Sequence, residues 1–555
     1  MSTTRRAFLA TSAALGASTL APRRAAGQPE ATPATPGEIS TSTIAEAEKL
    51  AGIPFTPAER TQMLRTIPEQ VQLLAARRKL GPLPNDLAPA STINHHLPAP
   101  STPAAFTRSK DAPPLPTSDL DLAFAPVSHL SRWIESRQLT STRLTELCLA
   151  RLKALDPTLR AVITLTEDHA RARARQADAE IAAGKYRGPL HGIPYGAKDL
   201  FDTAGIPTTW GAEPWKDRIP ATDAAVIARL TEAGAVLVAK TSLGALAYGD
   251  IWFGGRTNNP WNPAQGSSGS SAGSAATVAA GCVPFALGTE TYGSLLSPSM
   301  VCGTTALRPT FGRVSRAGAM ALCWSLDKVG PITRTVEDAV LVLAAISGPD
   351  EHDPSTAPMP LAFDATRDAR SLKVGYNPAW FAGEHPNPID RRALDAIKSL
   401  GVTMVELDLP DWPYESLIPI LQAEAAAAFE DLTRSNADDT LKWQDDAAWP
   451  NTFRQAWFIP AIELVQADRF RRRVMAMMAE RFARVDALFA PSFAANLCLI
   501  TNFTGHPQLT LRAGLSEASD KSPSTPRGIT LWGRLADEGT LCTLGIALER
   551  ALDVW

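Results

Sequence analysis

Cysteine is scarce: six in 555 residues, with no C-x-x-C pair, which excludes both a disulfide-stapled scaffold and the common structural zinc motifs. They stand at 148, 282, 302, 323, 498 and 542 without a histidine at ligand spacing, and read as small buried hydrophobes. An oxidising compartment would permit a bridge such as Cys302 with Cys323, but sequence alone does not bring two Cα atoms together. Histidine is also rare, and His95-His96 has no further ligand at metal spacing, so neither a metal nor a cofactor is expected. A basic excess is missing as well. With 54 Lys and Arg against 57 Asp and Glu, the net charge of -3 excludes nucleic acid as the main partner on electrostatic grounds. The apolar run near the N-terminus falls short of the about 20 residues a spanning helix requires, so no stable membrane insertion is expected. No internal repeat is visible, which removes solenoids and propellers.

What is present begins with Thr4-Arg5-Arg6-Ala7-Phe8-Leu9 and a small-residue apolar run to Ala21, the layout of a twin-arginine export signal. Ala25-Ala26-Gly27 offers small residues for cleavage, so residues 1–27 are read as a signal peptide. The expected partner is the twin-arginine export machinery, and the expected compartment is periplasmic or secreted. Residues 28–126 are read as a linker and helical extension. Gln28 to Gly37 is rich in Pro, Ala, Thr and Glu, and Ile44 to Lys79 recovers a helical spacing of apolar residues, predicting one or two helices. A second Pro-rich stretch, Leu80 to Pro116, leads along the surface to the main body.

From about Val127, helices alternate with short β-branched or apolar runs such as Ala161 to Leu165, Ala235 to Ala239 and Val283 to Leu287. That alternation predicts an α/β core around a mostly buried sheet. Residues 371–485 read as mainly helical, with strand-like Val374 to Tyr376 and Val402 to Leu407 and a clear helix from Ile462 to Val485. After Asn502 short strands return.

Three stretches carry the chemistry. The first is Gly192-Ile193-Pro194-Tyr195-Gly196-Ala197-Lys198-Asp199. The second is a glycine and serine loop, Gly266-Ser267-Ser268-Gly269-Ser270-Ser271-Ala272-Gly273, feeding an alanine-rich helix. The third is Gly288-Thr289-Glu290-Thr291-Tyr292-Gly293-Ser294. Within the second, Gly269 to Gly273 matches the G-x-S-x-G elbow with Ser271 at its centre. An elbow must follow a central strand, and Asn259-Pro260-Trp261-Asn262-Pro263-Ala264-Gln265 is not one, so that reading is rejected.

Read together, the three stretches resemble the amidase signature family, whose hydrolases use a Ser-cisSer-Lys triad. The resemblance continues through Leu307-Arg308-Pro309-Thr310 and Ser325-Leu326-Asp327-Lys328-Val329-Gly330-Pro331, and resumes at Asn502 to Pro507. It implies a large mixed β-sheet flanked by α-helices, a three-layer α/β/α fold, over a catalytic domain at 127–555. Its core would span 127–350 and 486–555, with the variable, mainly helical region at 371–485. Residue by residue, it assigns Lys198 as base, Ser270 as relay and Ser294 as nucleophile, with the Gly269-Ser270 bond cis and Ser267 as the fallback for Ser270. The backbone N-H groups of Thr291, Tyr292, Gly293 and Ser294 would form the oxyanion hole.

The chemistry is consistent with those roles. A serine hydroxyl needs a positioned base, and a lysine serves only if burial lowers its pKa from about 10.4. A relay serine can donate and accept at once. Three positions depart from the commoner family pattern: Glu290 in place of Asp, Tyr292 in place of Gly, and Leu296 in place of Arg. They suggest altered support or substrate preference. Asp199 reads as an ion-paired or capping carboxylate and His506 as structural. Trp443, Trp449, Phe453, Trp457 and Phe458 either line a substrate pocket or pack the core.

The expected activity is cleavage of a small-molecule carboxylic amide through an acyl-enzyme on Ser294. Ester or carbamate cleavage on the same triad, a non-catalytic exported binding protein and the glutaminase component of an amidotransferase remain open, as does a homodimer.

Overall fold

The computed structural model describes residues 39–81, 83, 90–91, 105–382, 387–518 and 523–554. The twin-arginine segment, the linker over 28–37 and His95-His96 lie outside the described residues.

Eleven strands form one mixed sheet. In chain order they are β1 (Val162–Leu165), β2 (Pro194–Lys198), β3 (Val236–Thr241), β4 (Phe285–Glu290), β5 (Thr305–Arg308), β6 (Lys328–Thr333), β7 (Lys373–Tyr376), β8 (Thr403–Glu406), β9 (Ala487–Pro491), β10 (Gln508–Leu515) and β11 (Pro526–Gly533). Their spatial order is β8-β7-β9-β11-β10-β5-β6-β4-β2-β3-β1. β2 lies parallel to both β3 and β4, the next pairings through to β9 are antiparallel, and β7 and β8 resume parallel pairing.

Both faces of this sheet are buried, and the two-residue period of a strand shows it. Along β3, Leu237 enters one apolar core while Val236 and Val238 enter the other; along β4, Phe285 and Leu287 oppose Ala286 in the same way. The covering helices include α4 (Ser141–Leu159), α5 (Ala272–Ala279) and α6 (Leu296–Cys302), then α7 (Val336–Ile346), α8 (Ala461–Phe482) and α9 (Glu538–Leu552). Leu149 and Leu152 of α4 share a core with Ala275, Ala276 and Val278 of α5. The other core takes Val340 and Leu343 of α7 and Leu541 and Leu544 of α9. The expected three-layer α/β/α fold is present.

Ahead of this body, among the described residues, are three helices, α1 to α3, at Thr41–Ala51, Pro57–Leu64 and Ile67–Arg78, where the apolar spacing over Ile44 to Lys79 predicts one or two. The spacing runs across Arg65-Thr66, but Pro68 in the first turn of the third helix starts a new one. Thr56 and Glu59 form a reciprocal capping box at the start of the second. These helices pack on the 371–485 region: Arg65 pairs with Asp446 at 2.6 Å and Arg77 with Glu463 at 2.9 Å. That region also contributes β7 and β8 to the sheet edge. All six cysteines are buried free thiols, Cys302 and Cys323 included. Among the described residues no helix is long and apolar enough to cross a membrane.

One buried cation fastens the layers. Arg334, just past β6, donates to the carbonyls of Phe124 (3.1 Å), Ala125 (2.8 Å), Val278 (3.2 Å) and Val283 (3.0 Å). A lysine cannot reach all four with one ammonium group. Arg334→Lys should therefore cost about 3 kcal/mol, read as a lowered denaturant midpoint at unchanged slope.

Candidate active site

β2 and β4 are parallel neighbours, third and fourth from one edge of the sheet, with Tyr195 opposite Phe285 and Ala197 opposite Leu287. That register sets Lys198, the last residue of β2, beside Thr289 near the end of β4. The Lys198 Nζ lies 2.8 Å from Thr289 Oγ1, 2.9 Å from Ser270 Oγ and 3.2 Å from Ser271 Oγ. Lys198 is fully buried and its three partners are hydroxyls. Burial drives its amine down to about 7, against the opposing fields of Asp327 and Glu290.

The serine loop follows a separate two-stranded hairpin, Asn258–Asn259 with Asn262–Gly266, and not a central strand. This matches the sequence argument against an elbow. The Gly269-Ser270 peptide bond is cis. Gly269 has no room for a side chain, because a Cβ there would meet the Gly249 carbonyl oxygen at 1.8 Å. The neighbouring serines divide the work of holding the loop. Ser271 Oγ donates to the Thr289 carbonyl at 3.1 Å, and Ser267 Oγ turns instead to the Ser268 carbonyl at 2.9 Å. The structure thus brings Ser270, and not Ser267, to Lys198.

Two bonds clamp this loop against the third motif. The Ser271 N-H donates to the Ser294 carbonyl at 3.2 Å, and the Ser268 and Ser297 hydroxyls lie 2.6 Å apart. Ser294 is nearly buried, at the end of a turn that Gly293 makes with φ 84°. The N-H groups of Tyr292, Gly293 and Ser294 meet no acceptor among the described residues.

Behind the turn lies a buried ion pair. Glu290 Oε1 accepts from Arg308 at 2.5 Å and from Asn502 Nδ2 at 2.8 Å. Glu290 Oε2 accepts the N-H groups of Leu295 and Leu296 at 2.8 and 2.9 Å, the first residues after Ser294. Burial works to raise this carboxyl, but Arg308 and those donors outweigh it and hold it below the usual range. Leu296 is therefore a core residue whose backbone is held by Glu290, and the local positive charge comes from Arg308 on β5. Tyr292 packs against the main core.

Asp199 is ion-paired, with Lys240 Nζ at 3.1 Å, and also accepts from the Thr209 N-H and hydroxyl. His506 is structural: it stacks on Phe482, its Nδ1 lies 2.8 Å from Thr504 Oγ1, and burial lowers it to about 3. The aromatic group splits. Trp449 stacks on Phe453 in the core, Phe458 meets Phe55, and Trp457 lies under Arg434. Trp443 packs on Tyr248, next to Gly249, and Trp449 meets the same tyrosine ring. Among the described residues, the carboxylates closest to metal spacing, Glu59, Asp438 and Asp439, converge on Arg454.

From sequence, Thr289 and Asp327 carry no role, Ser271 enters only as the rejected elbow serine, and Glu290 only as a departure from Asp without its Arg308 partner. A signal for the pair exists, since a charge at the end of an otherwise apolar buried strand requires a partner.

The site is thus a fully buried lysine at the end of a strand of a wide mixed α/β sheet, held by serine and threonine hydroxyls. The chain belongs to the amidase family: the family model described as Amidase matches residues 143–513. An amidase from Pseudomonas putida is 33% identical over 461 residues, covering 77% of this chain and 95% of that protein. The A component of a glutamyl-tRNA(Gln) amidotransferase from Roseiflexus is 34% identical, covering 75% and 94%. The solved structure of a peptide amidase from Stenotrophomonas maltophilia aligns with a TM-score of 0.67 at 29% identity, covering 78% and 97%. The chain is an amide-hydrolysing enzyme.

Removing the Glu290 charge should leave Arg308 buried and unpaired. Glu290→Gln is expected to lower stability by roughly 3 kcal/mol in equilibrium unfolding.

Proposed function

We propose that the chain cleaves the C-N bond of a small-molecule amide with Ser294 as nucleophile, Ser270 as relay and Lys198 as base. The observation that carries this reading is the Lys198 amine, buried, lowered and 2.9 Å from the hydroxyl of Ser270. Ser294 Oγ bonds to the amide carbon while its proton passes to Ser270 Oγ and the Ser270 proton to Lys198 Nζ. The carbonyl oxygen becomes an oxyanion facing the N-H groups of the Thr291 to Ser294 turn. The relay then runs backwards, protonating the leaving nitrogen as the C-N bond breaks. Water repeats the cycle on the acyl-enzyme and frees the acid.

The reading has a definite pH sign. Below about 7 Lys198 is protonated and accepts nothing, so kcat/KM should rise through an acid limb near pH 7 and level off above it. Lys198→Ala should remove that limb and lower the rate by about 10³-fold. Mass spectrometry after fluorophosphonate treatment should place the adduct on Ser294, and Ser294→Ala should lose both adduct and turnover. An intact, folded enzyme that turned over amides without labelling at Ser294 would refute the assignment.

The same triad also suits an ester or carbamate. A glutaminase role within an amidotransferase is a second reading, favoured by the glutamyl-tRNA(Gln) amidotransferase relatives, and the Arg5-Arg6 leader pattern argues against it because charged tRNA is cytoplasmic. We place the mature enzyme in the periplasm or outside the cell, with residues 1–27 as its signal. A reporter fused after residue 28 should leave the cytoplasm and stay inside when Arg5 and Arg6 are both changed to Lys. Export that ignores that change would overturn the localisation.

A further inference from the structure

Beside the serine and lysine cluster lies a cavity of about 360 Å³. Thr289 and Thr291 both line it, so it reaches the strand end that contacts Lys198 and the turn that ends in Ser294. Leu200, just past Lys198, and Ala247, just ahead of Gly249, complete that side. Lys198, Ser270 and Ser294 do not line the cavity themselves; it borders them through Thr289 and Thr291, and its size is that of a small-ligand site.

Part of its wall is apolar: the buried Met320, Leu322 and Val329 join Ala317, Ala319 and Ala321, and Trp324 is half exposed. The charged groups on the wall are already engaged. Arg316 gives its guanidinium to Asp353 at 3.0 Å, Ser355 at 2.7 Å and the Trp324 carbonyl at 2.5 Å. Asp327 accepts from the Thr291 hydroxyl at 2.5 Å and from the Leu322 and Cys323 N-H groups at 2.8 and 2.9 Å. Lys328 Nζ donates to the Leu326 carbonyl and lies 3.5 Å from that of Asn502, and burial lowers its amine to about 7. His352 is on the solvent side, 3.7 Å from Glu351.

We propose that this cavity receives an uncharged, apolar substituent of the amide substrate, an aryl ring or branched alkyl group, and that Ala321 and Trp324 set the size it accepts. The proposal rests on Ser294 being the nucleophile. A ring that enters exchanges water for Met320, Leu322 and Val329 at a gain. The ammonium and carboxylate of free glutamine would lose their water against a largely apolar wall where Arg316 and Asp327 already hold partners, a cost with little return. The cavity thus discriminates against glutamine on desolvation grounds.

The test compares kcat/KM for phenylacetamide, acetamide and glutamine on the full chain and on two variants. Phenylacetamide should exceed glutamine by on the order of 100-fold. Ala321→Trp, which fills the cavity, should lower kcat/KM for phenylacetamide about tenfold more than for acetamide, chiefly through KM. Trp324→Ala, at an exposed position that folding tolerates, should raise KM for phenylacetamide several-fold more than for acetamide, and carries the test alone if Ala321→Trp does not fold. Glutamine turned over as well as phenylacetamide, or equal losses on both simple amides in the variants, would overturn the proposal. A fluorophosphonate adduct on Ser294 alongside either of those results removes the cavity reading and leaves the nucleophile standing. Turnover without that adduct removes the nucleophile first.

Discussion

A fully buried amine on an interior strand of an eleven-stranded sheet, bonded to three hydroxyls and to no carboxylate among the described residues, is costly to keep charged. The fold holds Lys198 there by the parallel register of β2 and β4, and the cost appears as an amine brought down to about 7. Everything nearby answers to that constraint. Thr289 and the two serines offer oxygens that can bond a neutral amine, and the carboxylates that would recharge it are kept occupied elsewhere. Asp327 is tied to Thr291 and to two backbone N-H groups, and Glu290 is tied to Arg308.

The Glu290–Arg308 pair is the second constraint. It is fully buried, so it lends more to geometry than to net stability. One carboxylate oxygen faces the guanidinium; the other gathers the backbone just after Ser294. The turn that carries Ser294 is therefore held from behind by charge and from the front by Ser271 and Ser268. A site held on both sides can leave a few N-H groups without internal partners, which is the arrangement an oxyanion requires.

Much of this was legible in the chain. The alternation after Val127 announced the buried sheet, and the helix read over Ile462 to Val485 is found at Ala461–Phe482. The rejection of Ser271 as an elbow nucleophile followed from the prolines ahead of it, which sit in a separate hairpin. The N-terminal helices were undercounted because apolar spacing does not register a break that Pro68 imposes. The aromatic cluster stayed undecided because a tryptophan on a helix has the same local signature whether its neighbours are core or cavity.

The sequence by itself determined which residue types could do the chemistry: a lysine at a strand end, a serine and glycine loop, and a serine closing a tight turn. These are local patterns, set by backbone propensity and by what each side chain can donate or accept. Only the tertiary structure decided that Lys198 meets Ser270 in preference to Ser267, that Arg308 supplies a charge at Glu290, and that an apolar cavity borders Thr289 and Thr291. Those facts depend on strand register and on contacts between residues far apart in the chain, and no local pattern records them.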